Sequence, residues 1–301
     1  MTMKCLYVYN PTSGKQKSLK KIDYILEELK KKFDVVDCKP TTKRGDAGLF
    51  AREACGVYDV FVVSGGDGTM NEVVNAISDM PNRPKIGYIP AGTTNDLAHS
   101  LGISKNVKKA VRNILNGYSI KHDVFKVNNR YGIYVCCFGI FTKSSYATSQ
   151  TQKKHFGRIA YFSYGVKEIF NSHPIPMTIE FDGKKKKGKY ALGIIANSKY
   201  VAGYKINDAA SFDDGYVNVI LVSEHKKRRV GLATILRIFR LFLFGMKSLK
   251  DGKKCRIIKA QKLHVDLPAE EIVNLDGESG FGGSFDLEVL KQHIEIFVKE
   301  K

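Results

Sequence analysis

Three short loops rich in glycine and small polar residues constrain the fold of this chain more than any other feature. They occupy residues 10–14, 65–71 and 92–96, and each follows a short apolar run and precedes a segment with helical spacing. Repeated strand–loop–helix units predict a parallel sheet with helices on both faces. Ligands of such sheets bind at the carboxyl ends of the strands, which is where these loops are expected to lie.

The pattern changes near residue 120. Up to that point apolar runs alternate with helical segments, whereas beyond it short β-like runs are separated by turn dipeptides, among them Asp214-Gly215 and Asp276-Gly277. We therefore predict an α/β N-terminal domain over residues 1–120 and an antiparallel β-sandwich over residues 121–285. The segment 286–301 is a candidate for return to the first domain.

The charge of the chain points to an anionic partner without choosing one. Its 301 residues include 49 Lys and Arg against 30 Asp and Glu, a net charge of +19. Nucleic acid, a phosphorylated substrate and a membrane surface all fit this excess, and so does a surface of solvated lysines. No spanning helix is expected, because no stretch of 18 residues lacks a charge. The six cysteines form no CxxC pair, which favours free thiols in a reduced cytoplasm over zinc or disulfides.

Two of the loops carry a carboxylate. Asp67 lies within Gly65-Gly66-Asp67-Gly68-Thr69, and Asp96 ends Gly92-Thr93-Thr94-Asn95-Asp96. A carboxylate in a phosphate-binding loop repels its ligand unless Mg²⁺ bridges the two. For a single loop, capping of a helix by Asn95 or Asp96 is the simpler interpretation. Three such loops at successive strand ends favour a nucleotide site.

Several familiar motifs are missing from the chain. It contains no GxxxxGK[ST] and no GxGxxG, which argues against a P-loop NTPase and a dinucleotide-binding oxidoreductase. It also lacks HExxH and GxSxG, the motifs of zinc proteases and α/β-hydrolases.

In order and spacing, the three loops resemble the diacylglycerol kinase catalytic family, which includes soluble bacterial members and the related sphingosine kinases. The resemblance continues through Ser211-Phe212-Asp213-Asp214-Gly215-Tyr216 and Asp276-Gly277-Glu278, so it covers nearly the whole chain. The ordered set is specific, whereas GGDGT alone also occurs in NAD kinases and phosphofructokinases. Met70 stands where leucine is usual, a swap that conserves volume.

The resemblance implies roles for particular residues. It places Glu278 as the general base, and Asp67 with Asp96 and Asp123 around a catalytic Mg²⁺, directly or through water. A second, structural Mg²⁺ would be held by Asp214 and the main-chain oxygens of Ser211 and Tyr216. Without the resemblance, Asp276-Gly277 and Asp214-Gly215 are simply predicted turns. The residues implied for ATP are Asn10, Pro11, Thr12, Ser13, Gly14, Thr41, Gly65, Gly66, Asp67, Gly68, Thr69, Met70, Asn71, Glu72 and Thr93.

The activity implied is ATP-dependent phosphorylation of diacylglycerol to phosphatidic acid. Phosphatidylglycerol, a polyprenol and a sphingoid base are alternative acceptors, and NAD is a less favoured one. A non-enzymatic basic module that binds membranes or nucleic acid is the remaining alternative. The expected partners are a membrane lipid and the inner membrane surface, with homodimer formation as in soluble relatives and no nucleic acid.

A basic apolar segment offers a route to the membrane. Lys226-Lys227-Arg228-Arg229 precedes residues 230–246, which are rich in leucine, isoleucine and phenylalanine. A helix here would either lie in a membrane interface or pack on the sandwich. The predicted apolar face consists of Leu232, Ile235, Leu236, Ile238, Phe239, Phe242 and Leu243, with Thr234, Arg237 and Arg240 opposite.

Overall fold

The computed structural model describes residues 2–11, 21–140, 172–224 and 228–300. Thr12, Ser13 and Gly14 of the first loop, and Lys226 and Lys227 of the basic run, lie outside these residues. The N-terminal part alternates strands with helices: β1 (Lys4–Tyr9), α1 (Ile22–Lys30), β2 (Val35–Pro40), α2 (Asp46–Ala54), β3 (Val60–Gly65), α3 (Asp67–Ile77), β4 (Lys85–Pro90), α4 (Asp96–Leu101) and α5 (Val107–Asn116).

The first four strands form a parallel sheet. β1 pairs with β2 and β3, and β3 pairs with β4. Every residue of β3 is buried, and its run of valines and phenylalanine suits a strand covered on both faces. The helices supply that cover, since α2 and α3 contact β3, α5 contacts β4 and α1 contacts β2.

The remaining elements are mostly strands. They are β5 (Ser119–Val127), β6 (Arg130–Gly132), β7 (Val135–Gly139), β8 (Ile175–Phe181), β9 (Lys184–Ala196), β10 (Tyr200–Val201), β11 (Tyr204–Lys205), β12 (Val217–Ser223), α6 (Leu232–Phe244), β13 (Cys255–Ala260), β14 (Lys262–Asp266), β15 (Ile272–Leu275), β16 (Glu278–Gly282) and β17 (Phe285–Phe297).

These strands pair in antiparallel fashion, and the last one joins the two parts of the chain. β17 pairs antiparallel with β5 and β14, and its residue Ile296 pairs in parallel with Ile86 of β4. The register of β17 shifts between Leu290 and Ile294, and Gln292 has a φ of +53°. Such a bulge bends a strand, so β17 can belong to both parts of one continuous sheet.

The buried apolar residues form two hydrophobic cores. One packs on the parallel sheet and its helices and continues to α6 and one side of the antiparallel strands. The other lies among the antiparallel strands alone, where the rings of Phe125, Phe138 and Phe285 are buried. The predicted α/β and antiparallel fold classes are therefore confirmed. Within the described ranges, none of the helices combines the length and the apolar character needed to cross a membrane.

Helix α6 differs from the predicted wheel because it is apolar on two sides. Thr234, predicted on the polar side, is buried together with Ile235, Ile238 and Leu241. Leu232 and Leu236, predicted to share a face with Ile235, are exposed instead. A helix rich in apolar residues all round gives the wheel no single face to select, so only packing decides which side is inward.

Candidate functional site

The loops after β3 and β4 touch each other through their glycines. A Cβ placed on Gly92 would lie 2.6 Å from the Cα of Gly66, so the two backbones approach more closely than side chains would allow. Together with the N-terminal end of α3, they leave backbone N–H groups at the carboxyl edge of the parallel sheet.

Asn95 holds the second of these loops in shape. Its side-chain Nδ2 donates to the Gly92 carbonyl at 2.7 Å, and its Oδ1 accepts from the Gly92 N–H at 2.9 Å. Oδ1 also lies 3.2 Å from the donating Tyr88 hydroxyl. Asn95 has a φ of +52°, a left-handed conformation that asparagine tolerates better than most residues. It therefore stabilises the loop before α4 through its side chain.

Asp67 is the first residue of α3, and its carboxylate faces the beginning of α4. Oδ2 accepts from the Thr94 hydroxyl at 3.1 Å, and Oδ1 accepts from the Leu97 N–H at 3.4 Å. Burial raises the pKa of this carboxyl, while the donors from Thr94 and the α4 backbone oppose the rise. The group thus ties the two loops together at the sheet edge.

Asp96 lies near Asp67 but makes different contacts. It is buried, and its Oδ1 accepts from the Gly203 N–H at 2.7 Å, which connects α4 to the β10–β11 hairpin. Burial, and then the charges of Asp67, Asp276 and Asp96, raise the pKa of Tyr134 well above its ordinary value. The hydroxyl of this buried tyrosine approaches the Gly277 turn.

Asp123 lies against a different loop, that of residues 211–216. Its Oδ2 accepts from Gly215 N–H and its Oδ1 from Gln292 N–H, both at 2.6 Å. Burial raises the pKa of this carboxyl, and the nearby charges of Asp214 and Asp213 raise it further. Asp123 thus lies against the 211–216 loop, and its role beside Asp67 at a catalytic Mg²⁺ stays a prediction.

The 211–216 loop itself concentrates negative charge at the surface. Asp214 Oδ1 accepts from Tyr216 N–H at 3.0 Å, and its Oδ2 pairs with Lys259 Nζ at 2.7 Å. Asp213 accepts from the Ser211 hydroxyl at 3.0 Å. The predicted donors Ser211, Asp214 and Tyr216 therefore lie together, and an ammonium group already neutralises one of them.

Asp276 forms a buried anchor between the two parts of the protein. Its carboxylate accepts from the N–H groups of Ile133, Tyr134 and Val135 at 2.7, 3.0 and 2.9 Å. It also accepts from Asn71 Nδ2, on α3, at 2.9 Å. Burial raises the pKa of Asp276 to about 6 although these four donors act to lower it. The turn between β15 and β16 is consequently fixed against α3.

That turn delivers Glu278 to the beginning of α3. A Cβ on Gly68 would lie 3.3 Å from Glu278 Oε1, so a larger residue at position 68 would crowd the carboxylate. Glu278 Oε2 accepts from Arg44 Nη2 at 2.8 Å. Burial raises the pKa of neighbouring Glu72, the Gly45 N–H and the Arg44 charge lower it, and the Glu278 charge raises it. Glu278 is thus brought beside the loop that carries Asp67.

The other residues predicted for ATP fall into two groups. Thr41 binds β1 through its N–H, which donates to the Tyr9 carbonyl at 2.9 Å, and Thr93 is exposed. By contrast, the Met70 side chain is completely buried in the core, and the Asn71 amide is engaged by Asp276. The remaining residues lie at the same edge of the sheet, at the end of β3, in the loops after β1 and β3 or in the first turns of α3: Asn10, Pro11, Gly65, Gly66, Gly68, Thr69 and Glu72.

Sequence reasoning missed Arg44, Tyr134 and the Asn71–Asp276 pair. Arg44 is 234 positions from Glu278, and Asn71 is 205 positions from Asp276. No local pattern marks partners so far apart. The only signal was the position of Asn71 within one of the glycine loops.

The carboxylate of Asp67 suits the kind of Mg²⁺ site that kinases use. In the described part of the chain, no three His, Cys, Asp or Glu side chains form a metal-binding group. Kinase Mg²⁺ needs only one or two carboxylates, because substrate phosphates and waters complete its shell. Asp67 supplies one such carboxylate, and it begins α3 at the edge of the sheet where phosphates would lie. The residues present therefore fit the ion.

Two family models match the chain. The diacylglycerol kinase catalytic domain matches residues 4–127, and the YegS C-terminal NAD kinase beta sandwich-like domain matches residues 137–298. A diacylglycerol kinase from Bacillus anthracis superposes with a TM-score of 0.82 at 24% identity, covering 98% of this chain and 97% of that one. This likeness supports the fold.

Curated relatives match along almost the entire chain. A diacylglycerol kinase of Staphylococcus carnosus is 34% identical, with 99% of this chain and 95% of the relative covered. One from Staphylococcus aureus is also 34% identical, with 99% and 93% covered. The protein therefore belongs to the diacylglycerol kinase family of lipid kinases. Membership implies ATP as the phosphoryl donor, and it confirms the resemblance seen in the glycine loops.

Proposed function

We propose that this protein transfers the γ-phosphoryl group of ATP to the hydroxyl of diacylglycerol, giving phosphatidic acid. The observation that carries the proposal is the position of Glu278. Its carboxylate comes from the antiparallel part of the chain and lies against Gly68, in the first turn of the helix that Asp67 begins. A proton acceptor and a phosphate-binding loop are thus adjacent, as transfer to an alcohol requires.

The nucleotide would occupy the edge formed by the loops after β1, β3 and β4. Backbone N–H groups at the beginning of α3 favour phosphate oxygens, and Gly66 and Gly92 let a ligand approach the backbone. Asp67, together with Asp96, would hold the catalytic Mg²⁺ directly or through water. When bound, the ion neutralises charge on the β- and γ-phosphates. Asp123, which accepts from Gly215 N–H in the 211–216 loop, would join Asp67 around the catalytic ion directly or through water. In that loop, Asp214 and the main-chain oxygens of Ser211 and Tyr216 would hold a structural Mg²⁺.

In the transfer step, Glu278 takes the proton of the lipid hydroxyl. The hydroxyl oxygen then forms a bond to the γ-phosphorus, and the bond from that phosphorus to the bridging oxygen breaks, so that ADP leaves. Arg44 holds Glu278 Oε2, which leaves Oε1 facing Gly68. The hydrogen bonds that Asp276 accepts hold the turn that carries Glu278 against α3.

A comparison of acceptors tests the proposal. Purified protein with Mg²⁺ and ATP labelled in the γ-phosphate is given diacylglycerol, phosphatidylglycerol, a polyprenol, a sphingoid base or NAD, each separately, with the lipids in detergent micelles. We expect labelled phosphatidic acid to form faster than any other product. Faster labelling of another lipid would keep the lipid kinase and change its substrate. Labelling of NAD alone would replace the proposal by a soluble-acceptor kinase.

The proposed substrate lies in a membrane, so we also propose that the protein acts at the inner membrane surface as a peripheral protein. The net charge of +19 supports contact with anionic lipid. A homodimer stays a proposal from the family resemblance.

A further inference from the structure

Helix α6 exposes its apolar side chains to an unusual extent. Leu232, Leu236, Leu243 and Phe244 are 60%, 59%, 67% and 68% exposed, more than any other large apolar side chain in the described ranges. At 100° per residue, the three leucines fall within about 40° of one another on the helix surface. They form a strip that runs along the outside of a helix whose other side is buried.

Basic side chains lie beside this strip. A groove of about 360 Å³ runs between α6 and the segment that follows it, and its lining includes Leu236 and the cations Arg237, Arg240, Lys250 and Lys254. Among the described residues that line the groove there is no carboxylate. None of the four cations forms an ion pair with a described carboxylate.

A second groove on this protein also contains lysines, but two of them form ion pairs. The groove of about 740 Å³ near the β8–β9 hairpin is also rich in lysine, but acidic residues line it as well. There Lys185 pairs with Glu180 and Lys262 with Glu288, each at 2.6 Å. The groove beside α6 therefore differs from this one in having no acidic residue among the described residues that line it.

The charge extends along the whole segment. Residues 228–254 contain eight Lys and Arg and one acidic residue, Asp251. The Asp251 carboxylate is directed to the backbone, where its Oδ1 accepts from Ile257 N–H at 3.0 Å. An exposed apolar strip flanked by unpaired cations matches the two layers of an anionic bilayer, acyl chains beneath phosphate headgroups.

We propose that α6 and the adjoining basic groove form the surface by which this protein docks on a bilayer of anionic phospholipid. The leucines and Phe244 enter the boundary between headgroups and acyl chains, while Arg237, Arg240, Lys250 and Lys254 contact headgroup phosphates. The inference deepens the proposed function by assigning the surface that meets the substrate's membrane. Docking itself does not depend on the phosphoryl transfer, so the two can fail separately.

Sedimentation with vesicles tests the proposal without any reaction. Vesicles of phosphatidylcholine alone are compared with vesicles that also contain phosphatidylglycerol, at low and high salt. We expect the wild-type protein to prefer the anionic vesicles by at least about tenfold, with the preference lost in high salt. Replacing Arg237, Arg240, Lys250 and Lys254 together by glutamine should weaken binding by about two to three orders of magnitude. The triple variant Leu236→Gln, Leu243→Gln and Phe244→Gln should weaken it at least about tenfold.

Matched control variants distinguish binding through this surface from nonspecific electrostatic or hydrophobic binding elsewhere on the protein. Glutamine at Lys184, Lys186, Lys187 and Lys189 removes the same number of charges from an exposed hairpin, and Leu49→Gln with Val57→Gln removes two other exposed apolar side chains. Both control variants should bind as the wild type does. Thermal unfolding of every variant, and its kinase activity in detergent micelles, show whether the fold and the reaction survive.

Three results would overturn the proposal. The first is equal vesicle binding by the wild type and both α6 variants. The second is a dimer that only the leucine and phenylalanine replacements dissociate, with vesicle binding unchanged, since this face would then join two copies of the chain. The third is binding of duplex nucleic acid, lost with the four cations, by a protein that does not bind vesicles. If the wild-type protein shows no kinase activity with lipid in detergent micelles, the proposed function is contradicted. The result on vesicle docking is not affected by that outcome.

Discussion

The turns at Asp276-Gly277 and Asp214-Gly215 share a dipeptide and a left-handed glycine, with φ of +82° and +83°, yet their carboxylates have opposite surroundings. Asp276 is buried and accepts from three backbone N–H groups and the Asn71 amide. Asp214 is far more exposed and pairs with Lys259 through Oδ2. The same local sequence therefore serves as an internal anchor in one place and as a charged surface loop in the other.

The difference lies in what each turn approaches. The Asp276 turn meets α3 and the residues just before β7, all of which present donors to an acceptor-only carboxylate. The Asp214 turn lies near Asp123 and Asp213, which are also acidic. The negative charge of this turn is balanced by the exposed Lys259 ammonium group. We expect substitutions at the first turn to change stability and those at the second to change the response to a cation.

The largest effect on stability is expected from Asp276→Ala. The variant leaves three backbone N–H groups and the Asn71 amide without an acceptor in a buried place, which should lower the free energy of unfolding by roughly 3–5 kcal/mol. Urea denaturation measures the loss. Asp182→Ala is the control. Asp182 also begins an Asp-Gly turn and has a φ of +48°, close to the +51° of Asp276, but it is exposed. Equal losses in the two variants would remove the distinction between buried and exposed turns.

The pH dependence of stability should identify Asp276 as well. Burial raises its pKa from 3.8 to about 6, so between these values the folded protein binds more protons than the unfolded chain. The contribution of this group to stability therefore falls as pH rises from about 4 to about 6, by at most roughly 3 kcal/mol. Asp276→Asn cannot titrate, so the wild type should lose stability relative to it across that range. A difference that does not vary with pH would contradict the raised pKa.

A smaller effect is expected from Asp214→Ala, and the larger part of it should appear only when Mg²⁺ is present. Without the ion the variant loses an exposed pair worth at most about 1 kcal/mol. With the ion, the wild type should gain melting temperature by mass action, and the variant should gain less. Asp208→Ala, which breaks another lysine pair, should respond to Mg²⁺ as the wild type does. An equal gain in the wild type and Asp214→Ala would show that this loop does not hold the ion.

The smallest effect is expected from Arg44→Ala. Arg44 is 78% exposed, so its pair with Glu278 is screened by solvent, and we expect a loss in kcat/KM of about tenfold or less that shrinks as salt is added. Arg44→Lys should recover part of the loss, and Lys43→Ala should cause none. A loss as large as that from removing Glu278 itself would mean that Arg44 contacts the reacting groups.

Much of the fold could be predicted from local patterns. The apolar run of β3 followed by Gly65-Gly66-Asp67-Gly68-Thr69 carries both a buried strand and its phosphate-type loop within a few residues. The contacts that complete the site could not be predicted in this way. Asp123 meets Gln292 across 169 positions, and Arg44 meets Glu278 across 234, so only the folded chain makes them neighbours.

The helix at 232–244 shows a second limit. Its sequence supplies apolar residues on two sides, so a wheel drawn from spacing placed Leu232 and Ile235 together, although only Ile235 is buried. Buried Thr234 is explained by its hydroxyl, which donates to Glu224 Oε2 at 2.8 Å. Such a bond satisfies a polar group that hydropathy alone would assign to the surface.

The central claim is that the Asp276 turn brings Glu278 to the nucleotide loop as the base. The most direct test measures the single-turnover rate of phosphatidic acid formation by the Glu278→Gln variant. The affinity for ATP is measured on the same sample. We expect the rate to fall by about two to four orders of magnitude while ATP binds as before. Glu271→Gln, at the far end of the same hairpin, should react at the wild-type rate. An unchanged rate in Glu278→Gln would contradict the account.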